Sequence, residues 1–243
     1  MPFSELQRRI GRKTVGKKLL REAPVAFLAY DLLESGGRDM RQTALDRRRA
    51  ALSGVISPLP DNRIQISPVV VAGTWEEFTA LQRESRNRGV EGFVMKQYDS
   101  VYEVGRRRGS WWKWKIDPLT VDAVLIYAQR GHGRRAGLYT DYTFAVRQGD
   151  SLVPFAKAYS GLSDAEIRQV DRFVQRNTLE RFGPVRAVTP RLVFEIAFDG
   201  IQKSNRHKSG VAVRFPRIAR WRQDKTVEEA DSIDTLTALL PQQ

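Results

Sequence analysis

The fold of the second half of the chain is decided by the stretch Ser163-Asp164-Ala165-Glu166-Ile167-Arg168-Gln169-Val170-Asp171-Arg172-Phe173-Val174. Its start has the pattern of a capping box, in which the Ser163 hydroxyl and the Glu166 carboxylate each bond a backbone N–H at a helix N-terminus. Apolar residues then recur at helical spacing, at positions 167, 170 and 174. The stretch therefore predicts one amphipathic helix.

This helix lies among segments that have the apolar patterning of β-strands. These segments lie near Val121–Ala128, Tyr142–Val146, Leu152–Tyr159, Leu192–Phe198 and Val211–Phe215. Five strands with a single inserted helix is the pattern of an OB-fold, a small β-barrel often used to bind nucleic acids. A generic small barrel fits the same pattern.

The first half of the chain has the pattern of a mixed α/β region. Strand-like apolar segments lie at Val25–Leu33, Val69–Ala72 and Gly92–Lys96. We expect one helix over about Arg41–Val55 and another that begins at Thr74, where Glu77 completes a capping-box pattern. Phe78 and Leu81 give this second helix an apolar face.

The junction Asp117-Pro118 is the predicted boundary between the halves, because proline disfavours a helical preceding residue and stiffens the chain. It divides the chain into residues 1–117 and 118–243. Near the end, Thr226 and Glu229 repeat the capping-box pattern and three leucines follow. We expect a closing helix there.

The composition restricts the chemistry of the chain. It has 243 residues, no cysteine and two histidines, which removes disulfides, thiolate zinc sites and a thiol nucleophile. A bound metal would therefore need carboxylates, phosphates and water, which suits magnesium or manganese. The average hydrophobic content, the lack of a long apolar run and the polar start of the chain predict a cytoplasmic protein without a membrane partner.

The net charge indicates a polyanionic partner. Lys and Arg number 41 against 28 Asp and Glu, a formal charge of +13. Nucleic acid is the favoured partner, because contacts to its phosphates gain from counterion release. A membrane surface would call for an amphipathic basic helix, which the sequence does not suggest. The alternative is that the charge only aids solubility.

The run Glu91-Gly92-Phe93-Val94-Met95-Lys96 places a carboxylate and an amine at the two ends of a strand-like segment. Glu91 and Lys96 have opposite parity, so an ideal strand turns them to different faces. They can share a face if Gly92 permits a bulge or if Glu91 lies in the preceding turn. A salt-bridged strand end is the alternative interpretation.

The run Trp111-Trp112-Lys113-Trp114-Lys115 sets two lysines on one face of a predicted strand. Two ammonium groups about 7 Å apart on one face suit a triphosphate or a diester. On the other face, the indoles of Trp112 and Trp114 can anchor the strand in a core. The alternative is an amphipathic edge strand with solvated lysines.

Two arginine-rich stretches are candidate phosphate-binding segments. Gly105–Gly109 contains Arg106 and Arg107 between flanking glycines, which predicts a mobile loop able to wrap a phosphate, although such runs are often only solvated. Arg214–Lys225 carries five cations among twelve residues and does not have the pattern of a core strand. Its cations could clamp a leaving pyrophosphate or lie along a DNA backbone.

Taken in chain order, these segments resemble the nucleotidyltransferase motifs of the ATP-dependent DNA ligases. Within that family, the sequence is most similar to a bacterial group. Phe27–Leu33 resembles motif IIIa, which implies that Tyr30 stacks on adenine. Glu91–Lys96 is similar to motif IV, which implies that Glu91 helps to hold the divalent metal and that Lys96 lies near the nucleotide.

The other two motifs concern the phosphates and the DNA. Trp112–Lys115 resembles motif V, which implies that Lys113 and Lys115 contact the α-phosphate. Arg217–Lys225 resembles motif VI, whose Arg-x-Asp-Lys element orients the leaving pyrophosphate. The resemblance thus assigns catalytic roles to Lys113, Lys115, Arg222, Asp224 and Lys225 and nucleotide binding to Tyr30, Glu91, Lys96, Lys113 and Lys115. Arg106, Arg107, Arg217 and Arg220 are the DNA-binding candidates.

The resemblance implies an α+β fold in which a partial nucleotidyltransferase (adenylation) domain, residues 1–117, precedes an OB-fold β-barrel with a C-terminal helix, residues 118–243. It implies a DNA ligase that uses ATP and Mg²⁺ or Mn²⁺ and seals nicks in duplex DNA through a lysyl-AMP, as DNA replication, repair and recombination require. The alternatives are a non-catalytic DNA-binding OB-fold module and an RNA ligase or capping-type nucleotidyltransferase.

The sequence departs from the family pattern at one decisive place. The Lys-x-Asp-Gly motif that carries the nucleophilic lysine is absent, and its nearest relative, Lys115-Ile116-Asp117-Pro118, has proline in place of glycine. The Asp-Gly-Glu of motif III is absent too. We therefore expect a chain that starts inside the adenylation domain, cannot self-adenylate and exposes apolar sheet surface.

Overall fold

The computed structural model describes residues 3–241, and only the backbone of Phe3 and Ser4. The predicted polar start of the chain includes Met1 and Pro2, which lie outside the described residues. The chain divides into two compact units, Met1–Lys115 and Ile116–Gln243. The domain limits predicted at Asp117-Pro118 stay a prediction.

The first unit is built from short elements. Its helices are α1 (Phe3–Gln7), α2 (Lys17–Glu22), α3 (Leu45–Ile56) and α4 (Trp75–Arg83). Its strands are β1 (Phe27–Ala29), β2 (Glu34–Ser35), β3 (Arg38–Asp39), β4 (Ile64–Ile66), β5 (Gly92–Lys96) and β6 (Trp111–Lys115). The strands pair two by two, β1 with β4 in parallel and both β2–β3 and β5–β6 antiparallel.

In this unit, one predicted strand is shorter than expected and another is absent. The segment predicted at Val25–Leu33 is a strand only over β1, because β4 offers three residues of pairing partner. The predicted strand Val69–Ala72 has no regular structure, and β1 pairs with β4, a strand that the sequence did not predict. The helix expected at Arg41–Val55 is α3, which begins four residues later than predicted.

The predicted capping box of α4 is only half formed. Thr74 accepts the N–H of Glu77 at 3.2 Å, as expected. The Glu77 carboxylate instead accepts the N–H of Gly73 at 2.6 Å, one residue before the predicted partner. The bond from the Glu77 carboxylate back to the backbone therefore forms one residue earlier than the capping-box pattern predicts.

A buried ion pair joins α3 to the segment that follows β1. The Arg48 guanidinium donates to both Asp31 oxygens, at 2.7 and 2.9 Å, and neither side chain is more than 4% exposed. The next residue, Arg49, donates to the carbonyl oxygens of Tyr30 at 3.0 Å and Ser67 at 2.9 Å. Helix α3 thus fixes the backbone at Tyr30.

The second unit is a curled antiparallel sheet with a helix inserted between two of its strands. Its described residues form nine strands: β7 (Leu119–Arg130), β8 (Tyr139–Gln148), β9 (Ser151–Ala158), β10 (Thr178–Phe182), β11 (Val185–Val188), β12 (Val193–Phe198), β13 (Gly200–Lys203), β14 (Val211–Arg214) and β15 (Arg217–Trp221). Seven of them form the curled sheet, whereas within the described residues β13 and β14 pair only with each other, so the strand predicted near Val211–Phe215 lies outside that sheet. Its helices are α5 (Asp164–Arg176) and α6 (Ile233–Ala238).

The long strand β7 organises the sheet. It pairs with β8 along one edge and with β12 and then β11 along the other, while β9 extends the sheet beyond β8 and β15 extends it beyond β12. The curl brings the ends of the sheet together, because the Ile218 N–H of β15 donates to Ser160, just after β9, at 2.9 Å. Gly161 permits this approach, since a Cβ there would lie 1.8 Å from the Ile218 carbonyl oxygen.

The predicted inserted helix is confirmed. The Ser163 hydroxyl accepts the Glu166 N–H at 3.3 Å, and the Glu166 carboxylate accepts the Ser163 N–H at 2.8 Å. Ile167, Val170 and Val174 are buried and contribute the inner face of α5. The curled sheet with this helix between β9 and β10 agrees with the predicted OB-fold β-barrel.

Two predictions for the end of the chain need correction. The stretch Arg214–Lys225 does contain a strand, because β15 pairs with β12 and buries Ile218, while Arg220 is exposed. The box at Thr226 opens a single 3₁₀ turn, Val227–Glu229. The closing helix is α6, which the Ser232 hydroxyl caps by accepting the Thr235 N–H at 3.2 Å.

Candidate functional site

The antiparallel pair β5–β6 brings the two lysine-containing motifs side by side. Lys96 lies opposite Trp111, Val94 opposite Lys113 and Gly92 opposite Lys115. Gly92 has a φ of +123°, and a Cβ there would lie 2.1 Å from the Trp114 carbonyl oxygen. Glu91 lies outside the strand, two residues after the turn that ends at Gly89.

A cavity of about 770 Å³ opens beside this pair of strands. Its wall is largely aromatic and aliphatic, with a few cations at its edge, which is the usual lining of a small-molecule site. The side chains that matter for the predicted roles are Tyr30, Trp75, Phe78, Lys96, Trp111 and Lys113. The structure thus brings three of the predicted nucleotide-binding residues, Tyr30, Lys96 and Lys113, to one cavity.

Lys96 lies between two aromatic rings. Its Nζ is 4.2 Å from the ring centroid of Tyr30 and 4.0 Å from that of Trp111, which is cation–π geometry on both sides. Burial lowers the pKa of the Lys96 ammonium, against an opposing effect of the Asp31 charge. Trp111 is itself held by its indole N–H, which donates to the Ser100 hydroxyl at 3.2 Å.

Glu91 and Lys115 form an ion pair at the mouth of β5–β6, with 2.9 Å between Oε2 and Nζ. Both side chains are a little over 40% exposed, so the pair is open to competition from solvent and ions. Within residues 3–241 no group of three acidic or histidine side chains forms a complete metal cage. One carboxylate still fits magnesium, which usually completes its shell with water and substrate phosphates.

The expected anchoring of β6 by its indoles is half correct. Trp114 packs edge-on against Trp75 and Phe93, with ring centroids 6.0 and 6.1 Å apart. Trp112 does not enter a core and is 46% exposed. Its strand pairs only with β5 among the described residues.

The arginine loop Gly105–Gly109 lies between β5 and β6 in the chain and has no regular structure. Arg106 and Arg107 are exposed, and within residues 3–241 neither forms an ion pair. The loop therefore presents cations to solvent rather than to the protein.

In the second unit, the Arg-x-Asp-Lys element forms a compact charged cluster. Arg222 makes a two-pronged contact with Asp224, at 3.0 Å from Nε and 2.7 Å from a terminal nitrogen. Its other terminal nitrogen donates to Asp122 Oδ2 at 2.7 Å, and the Lys225 ammonium donates to the same oxygen at 2.6 Å. One carboxylate oxygen thus holds both cations.

The cluster has clear electrostatic consequences. Hydrogen bonding to Arg222 lowers the pKa of Asp224 to about 2, and the same contact raises the pKa of Arg222. Asp122 is 9% exposed, and its second oxygen, Oδ1, is buried with no protein hydrogen bond. The two carboxylates hold Arg222 and Lys225 in place and largely neutralise their positive charge.

Sequence reasoning missed Asp122. It lies in β7 within the run Val121-Asp122-Ala123-Val124-Leu125, where its neighbours are all fully buried. A lone carboxylate in an apolar strand is a usable signal, because burying it requires a cationic partner. The sequence does not name that partner, which lies 100 residues further along the chain.

The two candidate DNA-binding arginines of β15 each pair with an acidic residue, one in β12 and one directly after it. Arg217 bonds Asp199 at 2.8 Å, and Arg220 bonds Glu195 at 3.3 Å. Between β14 and β15, Phe215 is 63% exposed and has a positive φ of 53°, which is unusual for an aromatic residue. Strained, exposed positions of this kind are found at binding sites.

Comparison with known proteins identifies the family of the chain. Residues 1–115 match the family described as ATP dependent DNA ligase domain, and residues 135–225 match ATP dependent DNA ligase C terminal region. The chain belongs to the ATP-dependent DNA ligase family. The four motifs named from the sequence therefore lie in a ligase chain, in the order expected of that family.

Related proteins align with almost all of this ligase chain. A probable DNA ligase of Koribacter versatilis is 40% identical over 96% of the chain and 44% of its own length. One from Streptomyces coelicolor is 37% identical over 98% of the chain and 46% of its own length. The chain thus spans about half the length of the curated relatives that it matches.

Solved structures support the fold of the ligase chain. A Lig E DNA ligase, described as binding DNA with a minimal scaffold, aligns with a TM-score of 0.64 over 90% of this chain and 72% of its own, at 20% identity. The fold is α+β, with a partial nucleotidyltransferase domain before an OB-fold barrel, as predicted. Across residues 3–241, no helix has the length and apolarity needed to cross a membrane.

Proposed function

We propose that this chain is the part of an ATP-dependent DNA ligase that binds the nucleotide and orients its phosphates, and that the whole protein seals nicks in duplex DNA through a lysyl-AMP. The observation that carries the proposal is the pairing of β5 with β6. It places Lys96 and Lys113 at the cavity that Tyr30 also lines.

Each residue has a role that its position supports. The exposed ring of Tyr30 offers adenine a stacking surface, and its backbone is fixed by Arg49. Lys113 at the cavity supplies positive charge toward the α-phosphate. The Glu91–Lys115 pair would supply a carboxylate to help hold Mg²⁺ or Mn²⁺ and an ammonium to contact phosphate. The bound metal would neutralise phosphate charge.

The Arg222–Lys225 element fits the orientation of a leaving pyrophosphate. Two cations held by one oxygen of Asp122 have fixed directions, which reduces the reorganisation needed when a polyphosphate arrives. The arginines at 106, 107, 217 and 220, together with the exposed Phe215, suit the backbone and groove of a nicked duplex. A cytoplasmic location and the cellular roles in replication, repair and recombination stay predictions.

The test separates the ligase from a DNA-binding module. The chain and a version extended upstream to include a Lys-x-Asp-Gly motif are incubated with radiolabelled ATP and magnesium and resolved by denaturing electrophoresis. We expect label on the extended protein only, because no other group replaces the nucleophilic amine. Changing the nucleophilic lysine of the extended protein to alanine should abolish the label.

A nick-sealing assay with DNA and RNA strands completes the test. Sealing of a 5′-phosphorylated DNA nick by the extended protein, with no sealing of RNA ends, is the expected result. Label on neither protein, with DNA binding retained, would favour the non-catalytic module. Preference for RNA ends would favour the RNA ligase alternative.

A further inference from the structure

We infer that the outer face of α5 is a second contact surface for the DNA backbone, separate from the motif residues. The surface consists of Arg168, Arg172 and Arg176, which we call the arginine row. All three side chains are exposed, and within residues 3–241 none forms an ion pair or a side-chain hydrogen bond. The inference rests on the proposed function, since it assumes a DNA substrate.

The spacing of the row matches an extended polyanion. Its members lie four residues apart, so that consecutive guanidinium groups start about 6 Å apart along the helix axis on one face. The opposite face carries the buried Ile167, Val170 and Val174. The helix is therefore oriented with its arginines directed to solvent.

The acidic residues of α5 do not neutralise the row. Asp164 pairs with Arg135 at 2.9 Å, and Glu166 closes the capping box. Asp171 is buried, where its oxygens accept from the Tyr139 N–H at 2.9 Å and from Gln175 at 2.6 Å. All three carboxylates of the helix have other partners, so the row keeps its charge.

The row is not explained by the stability of the helix. Like charges four residues apart weaken an isolated helix, and the row contains two such pairs. Arg176 lies in the last turn of the helix, where a cation is favourable, but Arg168 and Arg172 lie outside that turn and gain no such benefit. The stability of the helix therefore does not account for Arg168 and Arg172.

The experiment measures the salt dependence of binding to a fluorescent duplex with a 5′-phosphorylated nick, using the whole chain. The variant Arg168→Gln/Arg172→Gln/Arg176→Gln should lower the slope of log affinity against log salt by about 2.7, which is three phosphate contacts at about 0.9 each. The variant with lysine at all three positions should keep the slope.

A matched control removes the same charge elsewhere. Arg21, Arg38 and Arg83 are exposed in the first unit, and within the described part of the chain none forms an ion pair. Their replacement by glutamine should change the slope by much less than the row variant. Equal losses in the two triple variants would mean that only the overall field matters and would overturn the inference.

The remaining outcomes are also decisive. The single variant Arg172→Gln, which should lower the slope by about 0.9, replaces the triple variant if the latter does not fold. An unchanged DNA slope with weakened binding of heparin would assign the row to another polyanion and contradict the inference. Absence of any salt-dependent duplex binding by the unaltered chain would instead contradict the proposed function itself.

Discussion

Gly92 shows how one residue determines the geometry of the site. Its positive φ lets the chain leave β5 so that Glu91 lies outside the strand and reaches Lys115. The space beside its Cα is occupied by the backbone of Trp114, which cannot move without breaking the pairing of β5 with β6. No other residue type combines both properties.

The substitution Gly92→Ala should therefore destabilise the first unit by roughly 1–3 kcal/mol or prevent its folding, because it adds backbone strain to a direct clash. Urea unfolding followed by tryptophan fluorescence measures the change. Gly109→Ala is the matched control, since Gly109 also has a positive φ of 113° but no atom within 4 Å of an added Cβ. Equal effects in both variants would show that the clash is relieved.

Asp122 has a similar importance in the second unit. The substitution Asp122→Ala removes the oxygen that holds Arg222 and Lys225 and should cost roughly 2–3 kcal/mol of unfolding free energy. The loss stays below that of a fully buried pair, because Arg222 keeps Asp224 and Lys225 can reach solvent. Asp150→Ala, in an exposed turn, should be nearly neutral by the same chemical denaturation.

At the scale of elements, the helices could be predicted from the sequence more reliably than the strands. Local chemistry determines a cap, so the box at Ser163 could be predicted in full. In the box at Thr74, the Glu77 carboxylate accepts the N–H of Gly73 instead of that of Thr74, because both backbone donors lie within its reach. Strands depend on distant partners, and for that reason the sequence predicted a strand at Val69–Ala72 that is absent and missed β2, β3, β4, β10, β11, β13 and β15.

The cap of α5 gives an element-scale prediction. Ser163→Ala removes the hydroxyl that accepts the Glu166 N–H and should reduce stability by about 1 kcal/mol. The helix packs on the barrel core, so the loss should appear in the global unfolding of the second unit. Ser163→Thr, which keeps the hydroxyl as cap acceptor and as donor to Glu166, should recover most of it, and a variant as weak as alanine would contradict the capping role.

The candidate site was predictable in its members but not in its arrangement. Tyr30, Lys96 and Lys113 were named from the sequence, and the structure places all three at one cavity. The position of Lys96 between two aromatic rings depends on contacts between strands, and so does the binding of both motif VI cations by Asp122. Such contacts follow from register, which a single sequence does not specify.

At the scale of the whole molecule, the two units differ in how much apolar surface they bury. The barrel has a continuous core around β7, β8 and β12, whereas in the first unit large apolar side chains remain exposed. Examples are Phe27 at 67%, Trp75 at 67% and Val71 at 82%. Exposed apolar surface favours association, so association of chains through this surface is a prediction.

The difference predicts stepwise unfolding. On mild heating or in low urea, the backbone amides of β1, β4, β5 and β6 should exchange with solvent well before those of β7, β8 and β12. Hydrogen exchange read by mass spectrometry resolves the two groups of peptides. A single transition with equal protection in both units would contradict the prediction.

The stacking of Trp221 on Phe194, with ring centroids 5.5 Å apart, gives the molecule a built-in optical reporter. The other four tryptophans of the chain all precede residue 116, so the barrel contains one indole, and it is directly followed by Arg222. Its emission should respond when a polyphosphate displaces the carboxylates from that guanidinium. The emission of this indole would therefore follow events at the cationic cluster without any added dye.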